Sequence, residues 1–421
     1  MAGTIRIGAV AATLACALTA PAVAYDGESW MRFGSRSTTA SIDQPYDHSF
    51  ARQWEANPPK GFPTLAPGNI AAMKVAITRY TLIVERGGWP TLPDATLQPG
   101  SGGPAVEALR QRLSISGDLR SVDAGGFSTG FDGGLEKAVK RFQASNGLTP
   151  TGIVDKRTIA ALNVPAVVRL KQLKTNLGRL QELSRSAGKR YIVVNIPAAQ
   201  IEAIENDRVV SRHAGVVGKL DRQTPILKSA VHELNFNPVW HLPPTVITKD
   251  LIPKAREMQR KGLDVLAKYH IEAYGSDGKK LDSTKINWSN LAVQGLTYRQ
   301  QPGPENPLGF VKINFHNAHS VYMHDTPSQT LFGRNFRAAS SGCVRISGIE
   351  TLAAWIGQEQ GWTEEKVRAM KKSGERLDLR LKKPVPLYFA YITAWATEDG
   401  VIQFRRDIYD KDGVGAVASA Y

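Results

Sequence analysis

Near residue 190 the apolar residues of this 421-residue chain change their spacing, and the change divides what its two halves can become. Before it, apolar positions recur every three to four residues, the spacing of one helix face. Ile70, Met73, Ile77, Tyr80 and Leu82-Ile83 predict an amphipathic helix over 70–84, and Leu170, Leu173, Leu177, Leu180 and Leu183 predict a second. The leucine run covers fewer than three heptads, so it reads as a packing or spacer helix and not a dimerising coil. After the change the period is two. Residues 191–197 and 200–205 predict paired strands about a turn at 197–199, with further strands at 209–210, 215–218, 231–236 and 311–315. A closing hairpin is expected from 387–396 through Glu398-Asp399-Gly400 to 401–404. The expected fold class is multidomain α+β, helical first and mostly β in the second half.

Within the first half, Val106, Leu109 and Leu113, then Leu135, Val139 and Phe142, then Ile159 and Leu162 make three short apolar stripes. Asp155 is placed to cap the third helix, and 147–152 is the turn before it. A glycine-rich interruption, 117–134, separates the first two. In the second half, 241–300 is a long insertion with a helix expected over 249–269; Trp240 and His241 open it.

Arg6, the apolar run 7–19 and Pro21-Ala22-Val23-Ala24 form an export leader, 1–24, with cleavage expected before Tyr25. Beyond it no apolar stretch approaches the roughly 18 residues of a membrane helix, so the exported chain is expected to carry no transmembrane segment. A formal charge of +15 raises the question of nucleic acid, but export argues against that partner. The basic residues are dispersed along predicted helices, as in Arg169, Lys171, Lys174, Arg179 and Arg185. They read as solvated faces or as attraction to an anionic envelope polymer.

Cleavage would leave Cys343 as the single cysteine, in Ser340-Ser341-Gly342-Cys343-Val344-Arg345, 19 residues after His324 of Tyr322-Met323-His324-Asp325. An exported protein usually pairs its thiols, so a lone one beside glycine, serine and arginine points to a nucleophile with a histidine base. A thiol of pKa about 8.5 is mostly protonated at neutral pH, and lowering it is the expected activation. Gly342 permits the turn that lets the Gly342 and Cys343 amides face an oxyanion. Asp325 would lie on the opposite strand face from His324, leaving a backbone carbonyl or Ser340 to orient the imidazole. Arg345 either grips a substrate carboxylate or forms a structural ion pair. His316 and His319 with His324 and Cys343 make a conceivable zinc set, set aside because Asn317-Ala318 reads as a turn. His213, His232, His241 and His270 read as surface or hydrogen-bonded residues.

The second half resembles the L,D-transpeptidase (YkuD-like) catalytic domain of the large exported Gram-negative type. The resemblance rests on His324, Ser340-Ser341, Gly342-Cys343 and Val344-Arg345. It extends to Asn195-Ile196-Pro197, Val217-Gly218-Lys219, Asn237-Pro238-Val239-Trp240, Gln301-Pro302-Gly303-Pro304 and Tyr391-Ile392-Thr393-Ala394-Trp395. It departs at Ser341, where many members carry histidine. Residues 97–163 resemble a three-helix peptidoglycan-binding domain through Val139-Lys140-Arg141-Phe142-Gln143, Gly147-Leu148 and Thr151-Gly152. The organisation expected is a leader (1–24), a helical scaffold (25–96), the peptidoglycan-binding-like domain (97–163), a linking helix (164–190), the catalytic domain (191–412, with a cap subdomain at 241–300) and a tail (413–421).

The resemblance implies a periplasmic acyltransferase of cell-wall biogenesis and cell shape, open to acylation by carbapenems. Cys343 and His324 would be catalytic, Gly342, Ser341 and Ser340 would support the oxyanion, and Arg345, Tyr322 and Trp240 would bind substrate. No metal or organic cofactor is implied. Peptidoglycan stem peptides are the expected partners, with other wall enzymes beside them. A Cys-His peptidoglycan hydrolase or endopeptidase and a non-catalytic wall-binding protein are the alternatives. The acceptor stays open between 3–3 crosslinking, D-amino acid exchange and protein anchoring.

Overall fold

The computed structural model of the chain describes residues 62–120 and 129–415. The leader, the first part of the scaffold and the end of the tail lie outside the described residues. Among the described residues five helices precede the strands: α1 (Asn69–Glu85), α2 (Pro104–Ser116), α3 (Gly133–Ser145), α4 (Lys156–Leu162) and α5 (Ala166–Ser184). Their starts carry local signals. Pro104 opens α2, while Asp132 and Asp155 accept the amides of Leu135 and Thr158 to cap α3 and α4. The three predicted stripes of α2 to α4 meet in one core with Phe131 and Val154. On α1 the buried stripe is Met73, Ala76, Tyr80 and Ile83, whereas Leu82 is exposed, a shift from the residues the spacing favoured. Helix α5 packs on α1 and on the back of the sheet, with Leu173 and Leu180 against Tyr191, Tyr388 and Trp395. This is the packing role expected of it.

The strands are β1 (Arg190–Asn195), β2 (Gln200–Glu205), β3 (Arg208–Gly218), β4 (Leu227–Phe236), β5 (Trp240–His241), β6 (Ile271–Tyr274), β7 (Thr297–Gln300), β8 (Val311–Phe315), β9 (Met323–His324), β10 (Ala338–Ser340), β11 (Val344–Ile346), β12 (Leu377–Ala390), β13 (Ala394–Ala396) and β14 (Ile402–Phe404). The main sheet runs β10-β3-β11-β9-β8-β4-β12-β1-β2. The two strands expected at 209–210 and 215–218 are one long strand. Its first part pairs with β2 and its last part with β11 and β10, so the sheet closes on itself through β3. Closure leaves few backbone groups unpaired at edges. β12 begins well before the strand expected at 387, because its first half sets Leu377, Leu379 and Leu381 against charged neighbours on an outer face. The chain then leaves the sheet, and β13 and β14 form a separate hairpin. The core between the sheet and the helix Ile349–Gly357, which follows β11, holds Ile192, Phe236, Ile313, Met323, Val344, Leu352 and Phe389.

The insertion has its own core, with Trp240, Leu251, Met258, Trp288 and Tyr298. Its helical part is broken: a π-helical turn (Ile247–Leu251) continues into α6 (Ile252–Gln259), then α7 (Val265–Lys268) follows. The single helix expected over 249–269 fails at Gly262, which has φ of +69°, and at Asp264, which caps α7 by accepting the Leu266 and Ala267 amides.

Candidate active site

Alternation collects the chemistry on one face of the sheet. Arg345 of β11 lies in register with His324 of β9, and His324 with Lys312 of β8. The residues between them, Val344, Met323 and Ile313, are fully buried in the core behind. Side chains two apart on a strand share a face, so Cys343 stands beside Arg345 and Tyr322 beside His324. The result is a row Arg345, His324, Lys312, with Cys343 and Tyr322 alongside it.

Cys343 and His324 are therefore diagonal neighbours on adjacent strands, roughly 8 Å apart at Cα from strand spacing and rise. Directly beside Cys343 is Tyr322, whose backbone N–H and hydroxyl both bond the thiol. The Tyr322 hydroxyl in turn accepts Trp240 Nε1–H at 2.8 Å. Trp240 is buried in the core of the insertion, so the insertion reaches the sulfur through one hydroxyl. The Tyr322 ring also lies under Lys312 Nζ, 4.6 Å from its centroid.

The His324 ring is buried, its Nδ1 bonds the Asp325 carbonyl oxygen, and the Pro307 backbone also contacts the ring. Burial, followed by the charges of Arg345 and Lys312, outweighs these backbone contacts and holds the imidazole down to about 3. A neutral ring with its proton on Nδ1 presents the Nε2 lone pair. The orienter is a backbone carbonyl, one of the two expected. The Asp325 carboxylate points away and accepts the Phe310 amide at 3.1 Å; burial pushes it up to about 6. Ser340, the other expected orienter, is used elsewhere. Its hydroxyl donates to the Cys343 carbonyl at 2.5 Å and accepts the Gly342 N–H at 3.2 Å.

That second bond corrects the oxyanion expectation, because the Gly342 amide is engaged by the turn itself. Of the two amides proposed to face an oxyanion, only that of Cys343 stays outside this bonding. Gly342 has φ of +115°, a conformation that favours glycine, and its carbonyl accepts Thr224 Oγ1–H at 2.8 Å. Ser341 Oγ accepts Arg222 Nη1–H at 2.8 Å.

The thiol also departs from expectation. Burial pushes Cys343 above its ordinary range, against the Tyr322 donors and the Lys312 and Arg345 charges. Arg345 is buried and held down to about 10 by desolvation, and its Nε has no hydrogen-bond partner. Among the described residues no carboxylate pairs with it, so the structural ion pair considered for it does not form.

His213 is buried between the Ser347 carbonyl and the Ser211 hydroxyl, each at 2.9 Å. His316 stacks on His232 with ring centroids 4.1 Å apart. Among the described residues no group of three or more His, Cys, Asp or Glu is set to hold a metal. Two residues of the site were missed in the sequence. Lys312 had a faint signal, a cation at an alternate position of an apolar strand; Arg222 had none, since the fold brings it to Ser341 from a loop far upstream.

With the geometry in place, comparison with known proteins is informative. Residues 189–373 match the family model described as "L,D-transpeptidase catalytic domain", and residues 102–162 that described as "Putative peptidoglycan binding domain". The second half of the chain is thus similar to L,D-transpeptidase catalytic domains, and the segment before it to peptidoglycan-binding domains. A curated protein of Haemophilus influenzae named "Putative L,D-transpeptidase" is 30% identical over 222 residues, 52% of this chain and 44% of that protein. The match thus spans less than half the length of this relative. Among solved structures, an L,D-transpeptidase from Xylanimonas cellulosilytica aligns at 17% identity over 71% of this chain and 98% of that one, with a TM-score of 0.24. One from Mycobacterium smegmatis aligns at 14% identity over 47% of this chain and 58% of that one, with a TM-score of 0.21.

Proposed function

We propose that the protein is a peptidoglycan L,D-transpeptidase working through a Cys343 thioester. The observation that carries this reading is the shared face of Cys343, Tyr322, His324 and Arg345, within a domain of the L,D-transpeptidase family. A tetrapeptide stem lies with its L-centre carbonyl over Cys343. As Sγ attacks, its proton passes to His324 Nε2, and the charge that develops on the carbonyl oxygen is met by the Cys343 amide and the Tyr322 hydroxyl. The imidazolium then gives its proton to the departing amine of D-alanine, leaving a thioester. An amine of a neighbouring stem attacks next, loses its proton to His324, and expels the thiolate, which takes that proton back. Arg345, buried with an unbonded Nε, supports a carboxylate-binding role, because a buried guanidinium donor is costly unless a ligand satisfies it. The wall-binding role of the helical domain and a periplasmic location go with this reading.

Purified protein with defined tetrapeptide stems is expected to release D-alanine and form crosslinked dimers, read by mass spectrometry. Cys343→Ser and His324→Ala should each abolish both products while leaving the unfolding midpoint within a few degrees of wild type. The double variant should be no worse than either single one, because residues acting as a unit are non-additive. Cleaved stems without dimers would favour the hydrolase.

A further inference from the structure

The departure at Ser341 leaves a question about the nucleophile turn: what holds it where many relatives carry histidine. Three contacts answer it. Arg222 sits in the loop between β3 and β4, and its amide closes a turn on the Lys219 carbonyl at 3.0 Å. Its Nη1 donates to Ser341 Oγ at 2.8 Å and reaches Asp250 Oδ2 at 3.2 Å. Asp250 lies on the π-helical turn of the cap, and the Arg222 and Asp250 side chains are both 12% exposed. One nitrogen with two hydrogens thus joins the cap to the residue two before the nucleophile.

The surrounding loop is tightly seated. A side chain on Gly218 would meet the Arg222 carbonyl at 2.1 Å, and Thr224 Oγ1 bonds both the Gly218 amide and the Gly342 carbonyl at 2.8 Å. Tyr409 closes the back: its hydroxyl donates to the Gly218 carbonyl and accepts the Thr224 amide. The arginine side chain therefore projects from a fixed base; Ser341 and Asp250 are its hydrogen-bonded partners at Nη1, and the exposed Asp221 carboxylate stands 3.8 Å from Nε. A buried ion pair earns little net stability, whereas its removal leaves a buried partner charge unmet. Among the described residues Arg222 is the hydrogen-bond donor to the Asp250 carboxylate, and Lys219 and Lys249 act on it through their charge.

We infer that Arg222 is a positioning residue that makes the geometry of the Ser341-Gly342-Cys343 turn depend on the seating of the cap, through Asp250. The inference rests on Cys343 being the nucleophile. Arg222 reaches the turn through the Ser341 hydroxyl and not through the sulfur, so its effect is on where the sulfur stands. When the cap is seated, the guanidinium is held by Asp250 and fixes Ser341. When it lifts, Arg222 loses the hydrogen bond to Asp250 and the turn loosens. A misplacement of about 1 Å at a reacting group costs up to 100-fold in rate, so modest loosening is enough to gate turnover.

The test uses the full chain with Arg222→Ala, Arg222→Lys, Asp250→Asn, Ser341→Ala, the Arg222→Ala/Asp250→Asn double variant and Cys343→Ser as reference. Steady-state crosslinking of a defined tetrapeptide stem, the pH profile of Cys343 alkylation by iodoacetamide and the unfolding midpoint are measured on each. Arg222→Ala is expected to lower kcat about tenfold to a hundredfold with KM within about threefold, and to leave the pH at which alkylation rises unchanged. Arg222→Lys should recover part of the loss. Asp250→Asn and Ser341→Ala should fall in the same direction, and the double variant should be no worse than Arg222→Ala alone. Wild-type kcat in Arg222→Ala, or losses that multiply in the double variant, would overturn the inference. So would an alkylation profile displaced in pH, which would mean that Arg222 acts by charge. If Arg222→Ala does not fold, Asp250→Asn and Ser341→Ala decide, since neither removes the arginine's aliphatic packing. Crosslinking that persists in Cys343→Ser would instead remove the nucleophile assignment, whatever the Arg222 variants do.

Discussion

Burial governs the ionisation of both Cys343 and His324. It raises the Cys343 thiol and lowers the His324 imidazole, so at neutral pH the resting pair is thiol and neutral base, with the proton moving only as the bond forms. The sign is testable on the free enzyme. Alkylation of Cys343 by iodoacetamide should climb with pH toward and beyond 9, with no plateau reached between pH 5 and 7. A preformed thiolate–imidazolium pair would instead give its rise well below pH 7. Tyr322→Phe removes a donor to the sulfur and leaves the Trp240 Nε1–H without its acceptor. It should displace the alkylation profile to still higher pH and lower stability by about 1–3 kcal/mol; a profile moved to lower pH would contradict the role given to the hydroxyl. At this scale the sequence was informative where the chemistry is local. A carbonyl partner for the His324 ring could be anticipated, because strand alternation turns the Asp325 carboxylate away from it. The thiol's raised pKa and the capture of the Gly342 amide by Ser340 could not, because both follow from packing and turn geometry.

Among the elements, β3 ties the back of the sheet to the active face, and His213 lies on it. Buried between Ser347 and Ser211, this imidazole is held down to about 4, against the opposing pull of Glu350 and Glu364. A histidine depressed in the folded state is protonated preferentially in the unfolded one, so stability falls as pH drops below about 6.5, by up to about 1.4 kcal/mol per pH unit down to the folded value. His324 acts in the same sense, and Asp325, raised to about 6, opposes them. Both are unchanged in a His213→Gln variant, so the difference isolates His213. Urea unfolding at pH 4.5 and 7 should show a smaller loss on acidification in the variant, and an equal loss would contradict the assignment. The period-two signal found β1, β2, β4 and β8 because their inner faces are continuous apolar rows. It underestimated β12, whose first half carries Arg380, Lys382 and Lys383 on an open side, and it divided β3 where Ser211 and Arg212 interrupt the apolar residues. The helix expected over 249–269 failed for a nameable reason as well, a left-handed glycine followed by a capping aspartate.

Across the molecule, the helical domain is joined to the rest by buried cations. Arg112 lies 3.6 Å over the Trp89 ring and donates to the Leu162 carbonyl at 2.9 Å; Arg169 donates to Asn146 Oδ1 at 3.0 Å and to Gln172 Oε1 at 2.9 Å. A further bond, Thr149 Oγ1 to Asn335 Oδ1 at 2.9 Å, joins its 147–152 turn to the loop that leads toward Cys343. Excising 97–163 therefore exposes Trp89 and strips partners from Arg169. The deletion should lower the unfolding midpoint by several degrees, and should weaken retention on isolated sacculi more than it lowers turnover of a small soluble stem. Equal losses in retention and turnover would assign the domain to support of the catalytic half alone. The division of the chain near residue 190 and the three-helix pattern were legible because each follows from apolar spacing. The buried arginines were not, since in the sequence they resemble the solvated cations around them.

The central claim is that Cys343 carries the acyl group. Intact-mass measurement of the purified protein after exposure to a carbapenem tests it most directly, because a strained lactam places its carbonyl where the substrate amide would sit and the resulting thioester is held by the same oxyanion donors. The account predicts one adduct per chain, absent in Cys343→Ser and formed more slowly in His324→Ala. A folded, crosslinking-active protein that gains no adduct, or an adduct that persists in Cys343→Ser, would contradict it.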